Sequence, residues 1–153
     1  MYRRSIISIL LTSLSLIGAD KPAVVELFED DVSALVPQLN NNGGDSLGSP
    51  ADPDEKDFFT GVRSLRVAPM QRYSDRIKDW SFPVVEKPDA GQFRFVRFAW
   101  KKTGGNSMIV QFHGSDPISW EHRYFAGSGQ PMWPAIRVSE TTPEDWVVVT
   151  RDL

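Results

Sequence analysis

Six residues between positions 120 and 133 have side chains suited to binding a neutral, hydroxyl-rich ligand. Tryptophan and tyrosine rings stack on the C–H faces of sugars, while arginine, glutamine and histidine hydrogen-bond to hydroxyl groups. Aromatic rings also fill hydrophobic cores, and for those near loop margins both interpretations stay open. The candidate ligand-binding residues are Trp120, His122, Arg123, Tyr124, Gln130 and Trp133.

Metal binding and catalysis have weaker support. The two histidines, His113 and His122, lie on neighbouring predicted strands, where Glu121 or Asp116 is a conceivable third ligand. Alternation along a strand puts His122 and Glu121 on opposite faces, so no metal site is predicted. A glycosidase needs two carboxylates in a concave site, and the acidic residues here mark no such pair. The chain has no cysteine, which excludes thiolate ligands and c-type haem attachment. We expect no cofactor and no enzymatic activity.

The candidate residues sit in a run of segments that favour β-structure. The strongest strand is predicted at residues 92–101, where aromatic and β-branched residues predominate and Phe98 and Trp100 are expected in the core. The Gly-rich turn at 103–106 is expected to return the chain as a paired hairpin. Regular strand spacing with Gly and Pro punctuation predicts an all-β fold, an antiparallel β-sandwich or jelly roll. The other predicted strands are 63–67, 80–86, 107–113, 120–125, 133–138 and 146–150.

The N-terminus has the layout of a secretory signal peptide. Positive charge at Arg3 and Arg4 precedes an apolar stretch that ends at the small residues Gly18 and Ala19. The stretch is shorter than the ~20 apolar residues of a membrane span. We therefore predict a signal-peptide helix at 1–19, cleavage before Asp20, and an exported protein that is periplasmic, cell-surface or extracellular. An uncleaved anchor helix is the alternative. The net charge of −3 argues against nucleic acid as a partner.

The remaining chain divides by composition into three parts. Residues 20–39 are predicted to form the first strand and turn of the sandwich, with a loop or a single helical turn after the strand, because Pro37 cuts any helix short. A short helix over residues 31–35 is the alternative. Residues 40–57 are rich in Gly, Asn, Asp and Pro and are predicted to be a flexible acidic loop. Residues 58–153 form the main body of the β-sandwich domain.

Several segments resemble uncharacterised β-sandwich modules of exported bacterial proteins, related to galactose-binding-like jelly rolls. The resemblance is carried by residues 26–35, 64–77, 80–105, 123–127 and 143–153. It implies a module of the kind found beside cytochrome c-type or helical-repeat regions in large exported proteins. It also implies a further strand after Leu153 that closes the sandwich. Without that strand the fold is expected to be incomplete at its C-terminus. Three alternatives stay open: a partner supplies the strand, the sheet keeps an open edge prone to association, or the sequence is a fragment of a longer gene product.

The resulting functional prediction is a non-catalytic exported binding module, with carbohydrate bound through loop aromatic residues. The first alternative is a structural or adaptor domain of a larger exported protein, with no small-molecule ligand. The second is a divergent glycosidase-like sandwich. The expected partners are a polysaccharide or an exported protein, with no membrane span after signal cleavage and with association through an exposed edge strand.

Overall fold

The computed structural model describes residues 5–12, 24–28, 32–33, 35–40, 51–67, 77, 79–114, 122–131 and 133–153. These residues form nine strands and one six-residue helix, which confirms the prediction of a mostly β protein. The helix is α1 (Leu35–Asn40). The strands are β1 (Ser5–Thr12), β2 (Val24–Phe28), β3 (Asp52–Asp54), β4 (Ser64–Val67), β5 (Phe95–Lys102), β6 (Ser107–Phe112), β7 (His122–Gly127), β8 (Ile136–Ser139) and β9 (Val147–Asp152).

Six strands form an antiparallel sheet in the order β3-β4-β1-β5-β9, with β2 paired to β1 beside this path. All eight residues of β1 pair with β5. On its other side, β1 pairs first with β4 and then with β2, and a register irregularity falls between Ile9 and Leu10. Strand β1 therefore lies inside the sheet, with neighbours on both sides.

Strands β6, β7 and β8 form a second, mixed sheet. Strand β6 pairs antiparallel with β7, whereas β8 pairs parallel with β7. The predicted hairpin between β5 and β6 is wrong, because β6 belongs to this second sheet. Both edges of β5 are already occupied by β1 and β9, so β6 has no free edge of β5 to pair with. The turn at 103–106 connects the two sheets.

Alternate residues from both sheets meet in one hydrophobic core. Phe98 and Trp100 on β5 are each 1% exposed, as the sequence predicted, and their rings make an edge contact with centroids 5.1 Å apart. Burying aromatic side chains of this size stabilises a fold by roughly 1.5–3 kcal/mol each. The sheets thus hold each other through side chains rather than through backbone pairing. The other buried members are Phe93, Val96, Met108, Val110, Tyr124, Ala126 and Val149.

A smaller cluster lies beneath α1 and contains Val32, Leu35, Ala51 and Leu65. The prediction that Pro37 cuts any helix short is wrong, because α1 continues past it. Pro37 is in the first helical turn, where a missing N–H breaks no intrahelical bond, and α1 continues to residue 40.

The predicted flexible loop at 40–57 has fixed ends. The Asn40 side chain exchanges two hydrogen bonds with the backbone of Ala51, at 2.9 and 2.7 Å. Residues 52–54 then pair with β4 as β3, so this part is a strand rather than a loop. At the end of the segment, the Asp57 carboxylate accepts a hydrogen bond from Trp146 Nε1 at 2.9 Å and pairs with Lys101 Nζ at 3.0 Å. Residues 41–50 lie outside the described residues.

Two further predictions differ from the structure. Residues 5–12, predicted as part of a signal-peptide helix, form strand β1 instead. Isoleucine is enriched in strands, and backbone pairing on both sides favours the extended form. The segment 80–86 makes only an isolated parallel bridge, between Val84 and Phe93, as Pro83 interrupts any longer ladder. No helix among the described residues is long and apolar enough to span a membrane.

Candidate ligand-binding face

Strand β7 sorts the predicted ligand-binding residues onto two sides of the small sheet. Successive side chains of a strand point to opposite faces, so His122 and Tyr124 share one face and Arg123 takes the other. Tyr124 is 0% exposed and packs in the core against Phe98, with ring centroids 6.2 Å apart. Its hydroxyl donates a long hydrogen bond of 3.4 Å to the Asp152 carbonyl, and burial raises its pKa. Tyr124 is therefore not at the ligand-accessible surface.

Arg123 lies on the outer face and is held in place by two acceptors. Its Nε donates to Gln111 Oε1 at 3.2 Å, and its Nη1 donates to the Pro134 carbonyl at 3.4 Å. Gln111 is directly opposite Arg123 in the register of β6 and β7. Guanidinium has five N–H donors, and these two contacts use two of them among the described residues.

Trp133 completes this surface. Its ring centroid lies 6.0 Å from the Arg123 guanidinium carbon, at the outer limit of a cation–π contact. The residue remains 44% exposed, so much of the indole is open to solvent. We call the group formed by Gln111, Arg123 and Trp133 the Trp133 surface. It combines an accessible aromatic face with positioned hydrogen-bonding groups.

The loop after β7 is fixed by Arg137. Its two terminal nitrogens donate to the carbonyls of Gly127 and, at 3.1 Å, Gly129. Its guanidinium carbon lies 4.9 Å from the Phe125 ring centroid, so this outer-face phenylalanine is buried. Gln130 is exposed in the same loop. The loop is therefore anchored on the outer face that also carries Arg123.

The predicted site residues are thus only partly brought together. Arg123 and Trp133 are neighbours, Gln130 is exposed in the anchored loop, and Trp120 lies outside the described residues. His122 is half-buried and shares the parity of Tyr124. Sequence reasoning missed Gln111, because it paired β6 with β5. Pairing β6 with β7 would have placed Gln111 beside Arg123.

A second polar contact fixes the end of β9. Arg94 Nε and Nη2 bind the two carboxylate oxygens of Asp152 at 2.8 and 2.6 Å, and Nη1 donates to the Glu86 carbonyl at 3.0 Å. The hydrogen bonds from Arg94 lower the pKa of Asp152, and those to Asp152 raise the pKa of Arg94. Because both groups are occupied by each other, this pair has a structural role.

A serine motif was overlooked in the sequence prediction of a non-catalytic protein. Residues 44–48 read Gly-Asp-Ser-Leu-Gly and match the Gly-x-Ser-x-Gly pattern of hydrolases. That nucleophile is presented on a turn between a strand and the following helix. Here the nearest described elements come in the opposite order, helix α1 before and strand β3 after. The motif itself lies outside the described residues, and the non-catalytic assignment stays a prediction.

Among the described residues, no group of three or more His, Asp or Glu is arranged to hold a metal ion.

Comparison with known proteins found no matching family model, no matching curated protein and no matching solved structure.

Proposed function

We propose that this protein is a non-catalytic exported module with a β-sandwich of the jelly-roll type, and that it binds carbohydrate at the Trp133 surface. The observation that carries the proposal is the contact between Arg123 and the exposed Trp133 ring, with Arg123 fixed by Gln111 and Pro134. A ring and a donor already in position lose less conformational freedom on binding than free side chains do.

The chemistry of this surface suits a neutral sugar. The Trp133 indole offers an apolar face for the C–H side of a pyranose ring, and Arg123 and Gln111 offer hydrogen bonds to its hydroxyl groups. An open surface of this kind fits a chain of sugars better than a small molecule, which is usually enclosed in a pocket. A polysaccharide is therefore the proposed ligand class.

The test is glycan-array binding of the wild-type protein, followed by titration of the best glycan against variants. Trp133→Ala should weaken binding by about 1–3 kcal/mol, the scale of one aromatic anchor, while the thermal midpoint stays unchanged. Phe59→Ala is the matched control, because Phe59 is also an exposed aromatic residue, at 41%, and has no part in the Trp133 surface. Equal losses in both variants, or a wild type that binds no glycan, would refute carbohydrate binding at this surface.

An adaptor function is the second candidate, and the position of β9 favours it. Within the described residues, strand β9 is the last strand of the large sheet and is paired with β5 on one side. An edge strand offers unpaired backbone groups to a strand of another protein. A protein that binds no glycan but associates through this edge would have the adaptor function.

Export is proposed from the N-terminal charge, the apolar stretch and the small residues before Asp20. N-terminal sequencing of the exported protein should begin at or near Asp20. A mature chain that begins at Met1 would refute cleavage.

A further inference from the structure

Strand β1 connects two parts of the large sheet. It pairs along its whole length with β5, and its opposite edge pairs with β4 through residues 5–7 and with β2 through residues 9–12. Within the described residues, β2 has no other strand partner, and the second partner of β4 is β3. Loss of β1 would leave unpaired backbone groups on β5 and on the facing edges of β4 and β2.

The same segment carries the apolar part of the proposed export signal. Cleavage near Asp20 would remove Ser5–Thr12 together with the leader. One molecule cannot both lose this segment and keep it as an inner strand. We call the space between β5 on one side and β4 and β2 on the other the β1 slot.

We propose that the exported protein binds an extended apolar strand of a partner protein in the β1 slot, antiparallel to β5. The proposal rests on the cleavage of the leader described above, and it is independent of carbohydrate binding. The direction and length of the bound strand follow from the pairing of β1, in which eight consecutive residues are opposite Lys102 through Phe95.

The slot specifies which positions of the incoming strand must be apolar. On β5, Val96, Phe98 and Trp100 belong to the core. Of the two residues between them, Arg97 is exposed, and Ala99 is buried but is not a member of this core cluster. Leu65 on β4 is buried. Leu65 and Trp100 both pair with Ile7 of β1, from opposite sides of that strand. Since cross-strand neighbours share a face, residues of the partner strand opposite Val96, Phe98 and Trp100 complete the core, and the residue opposite Trp100 also faces Leu65 of the smaller cluster.

Backbone pairing on both sides supplies affinity that does not depend on sequence, and the alternating core positions supply the register. The segment 5–12 reads Ser-Ile-Ile-Ser-Ile-Leu-Leu-Thr, so the slot accommodates an uncharged, mainly apolar strand. The inferred partner segment is therefore about eight residues long, extended and apolar at every second position at least.

The experiment starts from the full chain with a specific protease site placed between Thr12 and Val24. After folding, the chain is cut, and the cut fragment is followed by size-exclusion chromatography. The probe is a fluorescent peptide with the sequence of residues 5–12, added to cut and uncut protein. Co-elution of the fragment, or saturable peptide binding to the cut protein but not to the uncut protein, is the expected result. Loss of the fragment without peptide binding would overturn the proposal.

Two matched peptide controls test pairing and register. A peptide with Ile7→Pro should bind about tenfold more weakly, the equivalent of one lost backbone hydrogen bond. A peptide with isoleucine opposite Val96, Phe98 and Trp100 and threonine between them should bind better than the same pattern shifted by one residue. Equal binding of the two patterns would show that the peptide does not occupy the β1 slot.

The remaining outcomes separate this proposal from the others. A mature exported chain that starts at Met1 would overturn it, because the slot would stay filled by β1. A stable dimer of the exported protein, with the slot closed by a strand of the second copy, would overturn the assignment to a partner protein. Loss of glycan binding in Trp133→Ala, with peptide binding unchanged, would support both proposals separately, since Trp133 lies in the connection between β7 and β8 and not in the large sheet.

Discussion

Replacement of Phe98 by alanine should destabilise the fold more than any equivalent change on the outer face of the same strand. Phe98 is 1% exposed and contacts Trp100 edge-on and Tyr124 at 6.2 Å, so it joins the two sheets. Truncation of a buried phenylalanine costs about 3–5 kcal/mol, and each aromatic contact adds about 0.5–1.5 kcal/mol beyond area burial. We therefore expect a loss near the upper end, about 4–5 kcal/mol.

Phe95→Ala is the matched control, because it changes the same residue type on the same strand. Phe95 is only half-buried and has the Arg94 guanidinium 5.3 Å from its ring centroid. Its replacement should cost about 1–2 kcal/mol, the range of an ordinary partly buried site.

Urea denaturation followed by tryptophan fluorescence measures both variants. With an m-value of roughly 2 kcal/mol/M, Phe98→Ala should lower the midpoint by about 2–2.5 M and Phe95→Ala by about 0.5–1 M. Equal shifts for the two variants would show that β5 does not present one face to the core. An unchanged midpoint in Phe98→Ala would refute the packing of the two sheets against each other.

Three further outcomes are expected. The pKa of Asp152 is lowered by Arg94, so the pair stabilises the fold above the unfolded-state pKa of 3.8 and loses this effect as the pH falls through the lower folded-state pKa. Thermal melts from pH 7 to pH 2 should show less acid sensitivity in Asp152→Asn, and identical profiles would contradict the pairing. Gly127→Ala should lower the thermal midpoint far more than Gly91→Ala: both residues have positive φ, but only at Gly127 does an added Cβ collide with backbone. Similar midpoints would argue against that close approach. Finally, among the described residues β9 has a strand partner on one side only, and this edge should cause self-association that Val147→Lys reduces, whereas a monodisperse wild-type monomer on size exclusion would refute it.

The sequence predicted strands correctly where the residue pattern within one segment is sufficient to identify a strand. The segments that became β4 to β7 and β9 alternate apolar and polar residues or are saturated with aromatic and β-branched residues, and these are properties of the strand itself. The burial of Phe98 and Trp100 followed from the same density of large apolar residues. Local patterns were sufficient for both predictions.

Pairing between strands could not be read in the same way. The Gly-Gly turn after β5 is typical of a hairpin, but a turn of this kind can equally connect two sheets. Here the turn connects two sheets because β1 and β9 occupy both edges of β5. These two strands are distant from each other in sequence, so local patterns do not reveal their pairing. The error at β6 then hid Gln111, whose place beside Arg123 depends on the pairing of β6 with β7.

The N-terminal segment shows a different limit. An uncharged stretch rich in Ile and Leu is compatible with a signal peptide and also with a buried strand, since both need apolar side chains. Its composition is therefore insufficient to distinguish a helix from a strand. The pairing partners of β1, which lie in β2, β4 and β5, determine its conformation in the fold.

The Trp133 surface is carried mainly by the small sheet, whereas the β1 slot is in the large sheet. An empty slot should therefore have little effect on the geometry of the Trp133 surface. In the described structure, β6, β7 and β8 pair only among themselves, so the backbone that carries Arg123 needs no hydrogen bond from β1. The connection between the sheets runs through the core, where Tyr124 on β7 packs against Phe98 on β5. An empty β1 slot would leave one edge of β5 unpaired. Any resulting shift of β5 would affect Arg123 only through such packing contacts. Glycan affinity should consequently be compared at temperatures well below the unfolding midpoint of each variant, where a loss of affinity reports the Trp133 surface and not the fraction of folded protein.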